Sequence, residues 1–111
     1  MKINDLATED RPREKMMRIG AENLTNSELL AILIGSGSTE ESAVDLMTRV
    51  LNDCQNSLKR LGRLSYNELI TYHGIGDAKA VTIMAACELG KRRQQEQVEE
   101  RKDLGSATAI Y

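Results

Sequence analysis

Apolar and polar positions alternate with helical periods along nearly the whole chain. A first helix is predicted from Asp10-Arg11-Pro12-Arg13-Glu14-Lys15, with Pro12 near its first position and Met16, Met17 and Ile19 on its apolar side; Gly20 ends it. Residues 1–9 have no such period and read as extended. Thr25 and Glu28 have capping-box spacing for a second helix. Leu29, Leu30, Ile32, Leu33 and Ile34 make that helix so apolar that it must be central, and Gly35-Ser36-Gly37 terminates it. After the polar turn Ser38-Thr39-Glu40-Glu41, a third helix places Ala43, Leu46, Met47, Val50 and Leu51 on one face and Asp45, Arg49 and Asp53 on the other. Leu58 to Leu64 reads as a basic connector of one or two turns.

Ser65 and Glu68 repeat the capping-box spacing ahead of Leu69, Ile70 and Tyr72. A glycine turn, His73-Gly74-Ile75-Gly76, follows, and Ala80, Val81, Ile83, Met84 and Cys87 then recur at helical spacing through Lys91-Arg92-Arg93. Asp77 is the predicted N-cap of this helix. Gln94 to Asp103 is polar on every face, a solvated helix extension, and Leu104 to Tyr111 reads as a linker. These patterns predict an all-α fold of about five helices in one domain over residues 1–93, with 94–111 as extension and linker. Leu29, Leu30, Leu33, Leu46, Val50, Ile75, Ile83 and Met84 are the expected core.

The pattern contains a faint repeat. Leu30 to Gly37 followed by Ala43, and Leu69 to Gly76 followed by Ala80, both read as apolar helix, Gly-x-Gly, alanine, apolar helix. The first copy has two extra residues before its alanine, has Ser36 where the second has the apolar plug Ile75, and carries Glu40 and Glu41. Those carboxylates repel phosphate, so the first hairpin reads as structural. In the second, Gly74 and Gly76 let the backbone turn tightly and aim free N–H groups outward at a positive helix end, an arrangement that suits a phosphate. Gly76 is expected at positive φ, and Lys79 on the surface where it can assist.

Composition sharpens this picture. The 111 residues include no Phe or Trp and only three Tyr, so the core must be aliphatic, and the composition argues against a single-strand binder built on base stacking. Cys54 and Cys87 sit in apolar helical patterns, as packing residues. No apolar run reaches the roughly 18 residues of a membrane span, and Met1-Lys2-Ile3-Asn4-Asp5 is no signal segment, so a cytoplasmic location is expected. The net charge of −2 hides an asymmetry: residues 1–57 carry six Lys/Arg against ten Asp/Glu, residues 58–93 seven against three. The basic third holds the second hairpin, which favours an anionic partner there.

Leu69, Tyr72, Gly74, Ile75, Gly76, Ala80 and Ile83 together resemble the helix-hairpin-helix motif, with His73 where that family usually has Pro. The resemblance implies that Gly74, Ile75 and Gly76 hold a DNA phosphate with help from Lys79, and that the two hairpins form a double helix-hairpin-helix-like domain. A more specific resemblance lies upstream. Arg11-Pro12-Arg13-Glu14-Lys15, Gly20-Ala21-Glu22, Leu24 and Glu28-Leu29-Leu30-Ala31-Ile32-Leu33-Ile34-Gly35-Ser36-Gly37 occur in order. This resembles the start of RadC proteins, a bacterial family long labelled as DNA repair proteins, and extends from about Leu6 to Arg93. Complete RadC proteins continue into a domain similar to JAMM/MPN metalloproteases, whose zinc site needs a His-x-His pair, an Asp and a Glu. The chain has one histidine, so that chemistry does not carry over, and the domain is an expected partner beyond Tyr111.

No catalytic chemistry is visible. His73 lacks a second His or Cys at ligand spacing, no nucleophile is paired with a base in a known motif, and Gly74-x-Gly76 follows a helix rather than the strand of a dinucleotide site. A protonated His73 could add a phosphate contact. No cofactor or metal is expected. The expected function is a non-catalytic module that binds duplex or branched DNA weakly through its backbone, in repair or recombination. The alternative is a protein-interaction or regulatory domain for the metalloprotease-like domain, without DNA binding.

Overall fold

The computed structural model describes the backbone of residues 11–110 and the side chains of residues 11–102; residues 1–9 and Tyr111, assigned above to an extended segment and a linker, and Asp10, assigned to the start of the first helix, lie outside it. Six α-helices and a short 3-10 turn, with no strand among the described residues, make the fold all-α. They are α1 (Pro12–Ile19), α2 (Asn26–Ile34), α3 (Ala43–Asp53), α4 (Leu58–Leu61), α5 (Tyr66–Leu69) and α6 (Asp77–Ile110).

Side chains written into the sequence start the helices. The Thr25 hydroxyl accepts from the Glu28 N–H at 3.1 Å while the Glu28 carboxylate accepts from the Thr25 N–H at 2.9 Å. Ser65 and Glu68 close the same reciprocal pair around α5. Ser42 caps α3 and Ser57 caps the single turn of α4, each accepting from the N–H three residues on. Pro12 opens α1, and Gly20, at φ +90°, closes it with its N–H donating to the Met16 carbonyl. The Lys15 ammonium meets the Glu28 carboxylate at 2.9 Å, so α1 is fastened to the cap of α2 although none of its side chains is buried.

The core is aliphatic, as the composition requires. Leu46, Met47 and Val50 of α3, Leu61, Leu69 and Ile83 are almost wholly shielded, and Ile75 plugs the second turn between them. Of the expected core, Leu30, Leu46, Val50, Ile75 and Ile83 are buried; Leu29 is only half-buried, while Leu33 and Met84 are 40% and 39% exposed. The cause is packing: α2 meets α3 with one face, and its Leu29–Leu33 edge looks across an open groove toward Met84 on α6. The helical pattern identified an apolar edge without revealing that none of the described residues closes it. The helix α6 also runs on to Ile110 through the stretch expected to become a linker.

Leu46→Ala should destabilise the protein by about 2–5 kcal/mol, as truncation of shielded leucines does, and Leu33→Ala by less, measured by urea denaturation. Acid should act through Glu28. Its carboxylate lies below its ordinary value of 4.5, chiefly because the Thr25 N–H bonds the charged form, with Lys15 adding to this against the cost of burial. Its stabilising contribution is therefore complete above pH 4.5 and lost as pH falls below it, through the depressed folded value. Glu28→Gln should flatten that acid limb of the melting-temperature profile.

Candidate nucleic-acid interface

The two glycine turns differ in what their backbones require. In the first, a Cβ at Gly37 would lie 2.2 Å from the Glu41 carbonyl oxygen, so only glycine lets the chain fold back there. In the second, Gly74 is at φ +100°, and a Cβ there would stand 2.9 Å from the Leu46 side chain and 3.4 Å from that of Ser38. The second turn is thus pressed onto the first turn and onto α3. Gly76 is different from both. Its φ is not positive, contrary to the expectation above, and a Cβ there would meet nothing within 4 Å. The strain of the turn is taken up at Gly74, which frees Gly76 to lie open.

Lys79 does not stand out into solvent. It is half-buried, and its ammonium donates to the carbonyls of Ser36 at 2.6 Å, Gly37 at 3.2 Å and Gly74 at 3.0 Å. An ammonium has three N–H donors, and all three point at main-chain oxygens of the two glycine turns. Lys79 therefore positions the hairpins, and the role of direct phosphate ligand expected for it is displaced by these contacts.

Five further links cross between the hairpins or brace them. The Tyr72 hydroxyl donates to Asp53 at 2.7 Å, its ring lies 5.5 Å below the Arg49 guanidinium, and Arg49 grips Glu41 with two bonds of 3.1 and 2.8 Å. Burial, with the Asp53 carboxylate accepting its proton, pushes the Tyr72 phenol up to about 12. His73 meets Glu40 at 3.1 Å, and the Tyr66 hydroxyl donates to Asp77. Glu40 and Glu41, read from the sequence only as phosphate-repelling, thus serve the fold: Glu40 ties the first turn to the second, and Glu41 braces the first turn on α3. The sequence reading missed this use of Glu40, Glu41, Arg49 and Asp53. The eight-residue separation of Glu41 from Arg49 carries no helical signal, because one lies in the turn and the other on α3.

The amides at the two helix starts are also used differently. In the first hairpin the Ser38 hydroxyl accepts from the N–H groups of Glu40 and Glu41, both at 3.2 Å, and Ser42 takes that of Asp45. In the second, the first bond of α6 runs from the Ala80 N–H to the Gly76 carbonyl, and Asp77, predicted as N-cap, is the first helical residue with its carboxylate turned to Tyr66. The amides of Gly76, Asp77, Ala78 and Lys79 precede that bond, as orphan donors do at a helix start. The Cys54 and Cys87 thiols are pushed up by burial, away from reactivity. Among the described residues no group of His, Cys, Asp and Glu could hold a metal ion, and no helix is long and apolar enough to cross a membrane.

The described residues define an all-α domain of two glycine hairpins stitched through a lysine. The model of the UPF0758 N-terminal region matches residues 3–81, and the chain belongs to that family. This bears out the resemblance to the start of RadC proteins. Relatives include UPF0758 proteins of Flavobacterium johnsoniae, 49% identical over 98% of this chain and 47% of the relative, and of Porphyromonas gingivalis, 45% identical over 100% and 49%. The UPF0758 protein YsxA of Bacillus subtilis is 45% identical over 83% of this chain and 39% of its own length. The chain thus spans about half the length of the curated relatives it matches. No solved structure matches it.

Lys79→Met should remove the donor from three carbonyls at once and cost on the order of 1–3 kcal/mol for each that stays unsatisfied and shielded, seen as a lowered melting temperature. A surface lysine would show a change within about 0.5 kcal/mol.

Proposed function

We propose that this domain is a non-catalytic, sequence-independent DNA-binding module that grips the phosphate backbone at the second glycine hairpin. One observation carries the reading: α6 starts at an open Gly76 with the amides of Gly76, Asp77, Ala78 and Lys79 unbonded among the described residues, whereas at the start of α3 the Ser42 hydroxyl takes the Asp45 amide, the counterpart of that of Lys79. Backbone N–H groups at a helix start bind phosphate oxygens, and such contacts position a protein on DNA without reading its sequence. Gly74 and Ile75 shape the turn, and Lys79 holds it rather than touching the ligand. The exposed carboxylates of Asp77 and Glu40 flank the site and keep binding weak. A role in DNA repair or recombination follows only from the resemblance to RadC proteins.

A second reading, a protein-interaction module serving the other half that relatives carry, is favoured by a different observation: the uncovered groove beside Leu33 and Met84.

The test of the first reading is fluorescence anisotropy of a labelled duplex over a salt series. Few phosphates are engaged, so the slope of log K against log salt should be on the order of −1 to −3. Gly76→Thr keeps a residue that ranks with glycine as an N-cap. Its side chain fills the open space, and its hydroxyl takes an amide as Ser42 does. It should weaken binding with stability within about 0.5 kcal/mol of the parent. Binding indifferent to this change, or absent from the parent protein at low salt, would refute the phosphate reading.

A further inference from the structure

Along the flank of the molecule away from the glycine turns runs an open groove of about 1190 Å³. Leu29 and Leu33 of α2 form one wall, Leu58 of α4 and Met84 and Cys87 of α6 the other, and Leu33, Leu58 and Met84 are 40%, 51% and 39% exposed. Core residues Leu30, Leu61 and Ile83 close its floor. Lys59, Arg63 and Lys91 stand at its rim, and the one carboxylate among the described residues that line it, Glu88, is already bonded to Arg92 at 3.0 Å. The groove exceeds the roughly 300–1,000 Å³ of small-molecule sites. Its shape, apolar along its length with a basic rim, is that of a seat for an amphipathic helix.

We propose that the groove seats an acid-flanked amphipathic segment from the second half that UPF0758 proteins carry. The proposal rests on the interaction reading given above and is independent of phosphate binding at Gly76. Two observations select this occupant. The relatives run to about twice the length matched here, and the matching family model is that of the N-terminal region, so a further half follows in them. The groove is walled by α6, the same helix that leads to the end of this chain. From Gln95, at the groove mouth, to Ile110 is about 22 Å of helix at 1.5 Å per residue. Seven or so extended residues bring the following chain back to the groove. A segment tethered so close binds at high effective concentration, so a modest apolar face suffices. The rim charges select carboxylates on its flanks.

The test is hydrogen exchange read by mass spectrometry on the full-length Flavobacterium johnsoniae relative and on the present chain. The segments followed are those at, or aligned with, Leu58–Leu64 and Ile83–Gln95. Exchange should be at least tenfold slower in the full-length protein than in the present chain. Leu33→Asp with Met84→Asp, made at the aligned positions, should abolish that protection. Lys59→Glu with Lys91→Glu should reduce it, and these rim positions are exposed enough to leave folding intact even where the first pair does not. Equal, fast exchange in both proteins would overturn the proposal together with the interaction reading. Slow exchange in the present chain, with a doubled mass in light scattering, would assign the groove to a second copy: the proposed occupant would fail and the interaction reading would stand. Slow exchange in the monomeric chain that becomes fast on deleting residues 1–10 would overturn both, as the chain would then cover its own groove.

Discussion

Two turns that each fold back through glycine bring their carbonyl oxygens together at the edge of the aliphatic core. An oxygen shielded there without a donor costs more than most single contacts return. The Lys79 ammonium answers this for both turns together, reaching Ser36 and Gly37 in one and Gly74 in the other. The pressing of Gly74 onto Leu46 and Ser38 depends on that arrangement, since the turns can approach only if their carbonyls are satisfied. The fold is thus held by an apolar core on one side and a single polar knot on the other. Glu40–His73 and the chain Glu41–Arg49–Tyr72–Asp53 extend the knot outward where solvent weakens each member.

The knot also explains the division of labour between the hairpins. The first spends amides on its own serines and Glu40 on the second. The second is left with an unencumbered helix start because its neighbour supplies the bracing. The two hairpins, alike in sequence pattern, are in this way built differently. The sequence differences between the copies, Ser36 for Ile75 and the added residues ahead of Ala43, are where that asymmetry is written.

Much of this was legible from residue pattern. Helix starts were readable at Thr25–Glu28 and Ser65–Glu68 because a capping box is local, set by residues three apart. The plug role of Ile75 followed from its place between two glycines. Tertiary partners were not readable in the same way. Lys79 looks like any exposed helical lysine until Ser36, 43 residues away, is brought beside it. The conformations of Gly74 and Gly76 cannot be told apart by composition; only the fold shows that Gly74 takes the positive φ and lies against Leu46. Leu33 and Met84 carry the same apolar signal as Leu30 and Ile83, and only the spacing of α2, α4 and α6 separates groove from core.

The unbroken course of α6 has a further consequence. From Ala80 beneath the second turn to Lys102 it is one helix, and past Gln94 its side chains are almost all in water. Such a rod transmits orientation without using side-chain identity. Each residue advances it by 1.5 Å and, at 3.6 residues per turn, rotates it by about 100°. Whatever is joined at its far end is held in angular phase with the glycine hairpins. Exchanging one polar residue for another between 94 and 102 keeps that phase, whereas adding or deleting a single residue turns the far end more than a quarter of a circle. Evolution is then expected to be permissive about the letters of this stretch and strict about their number.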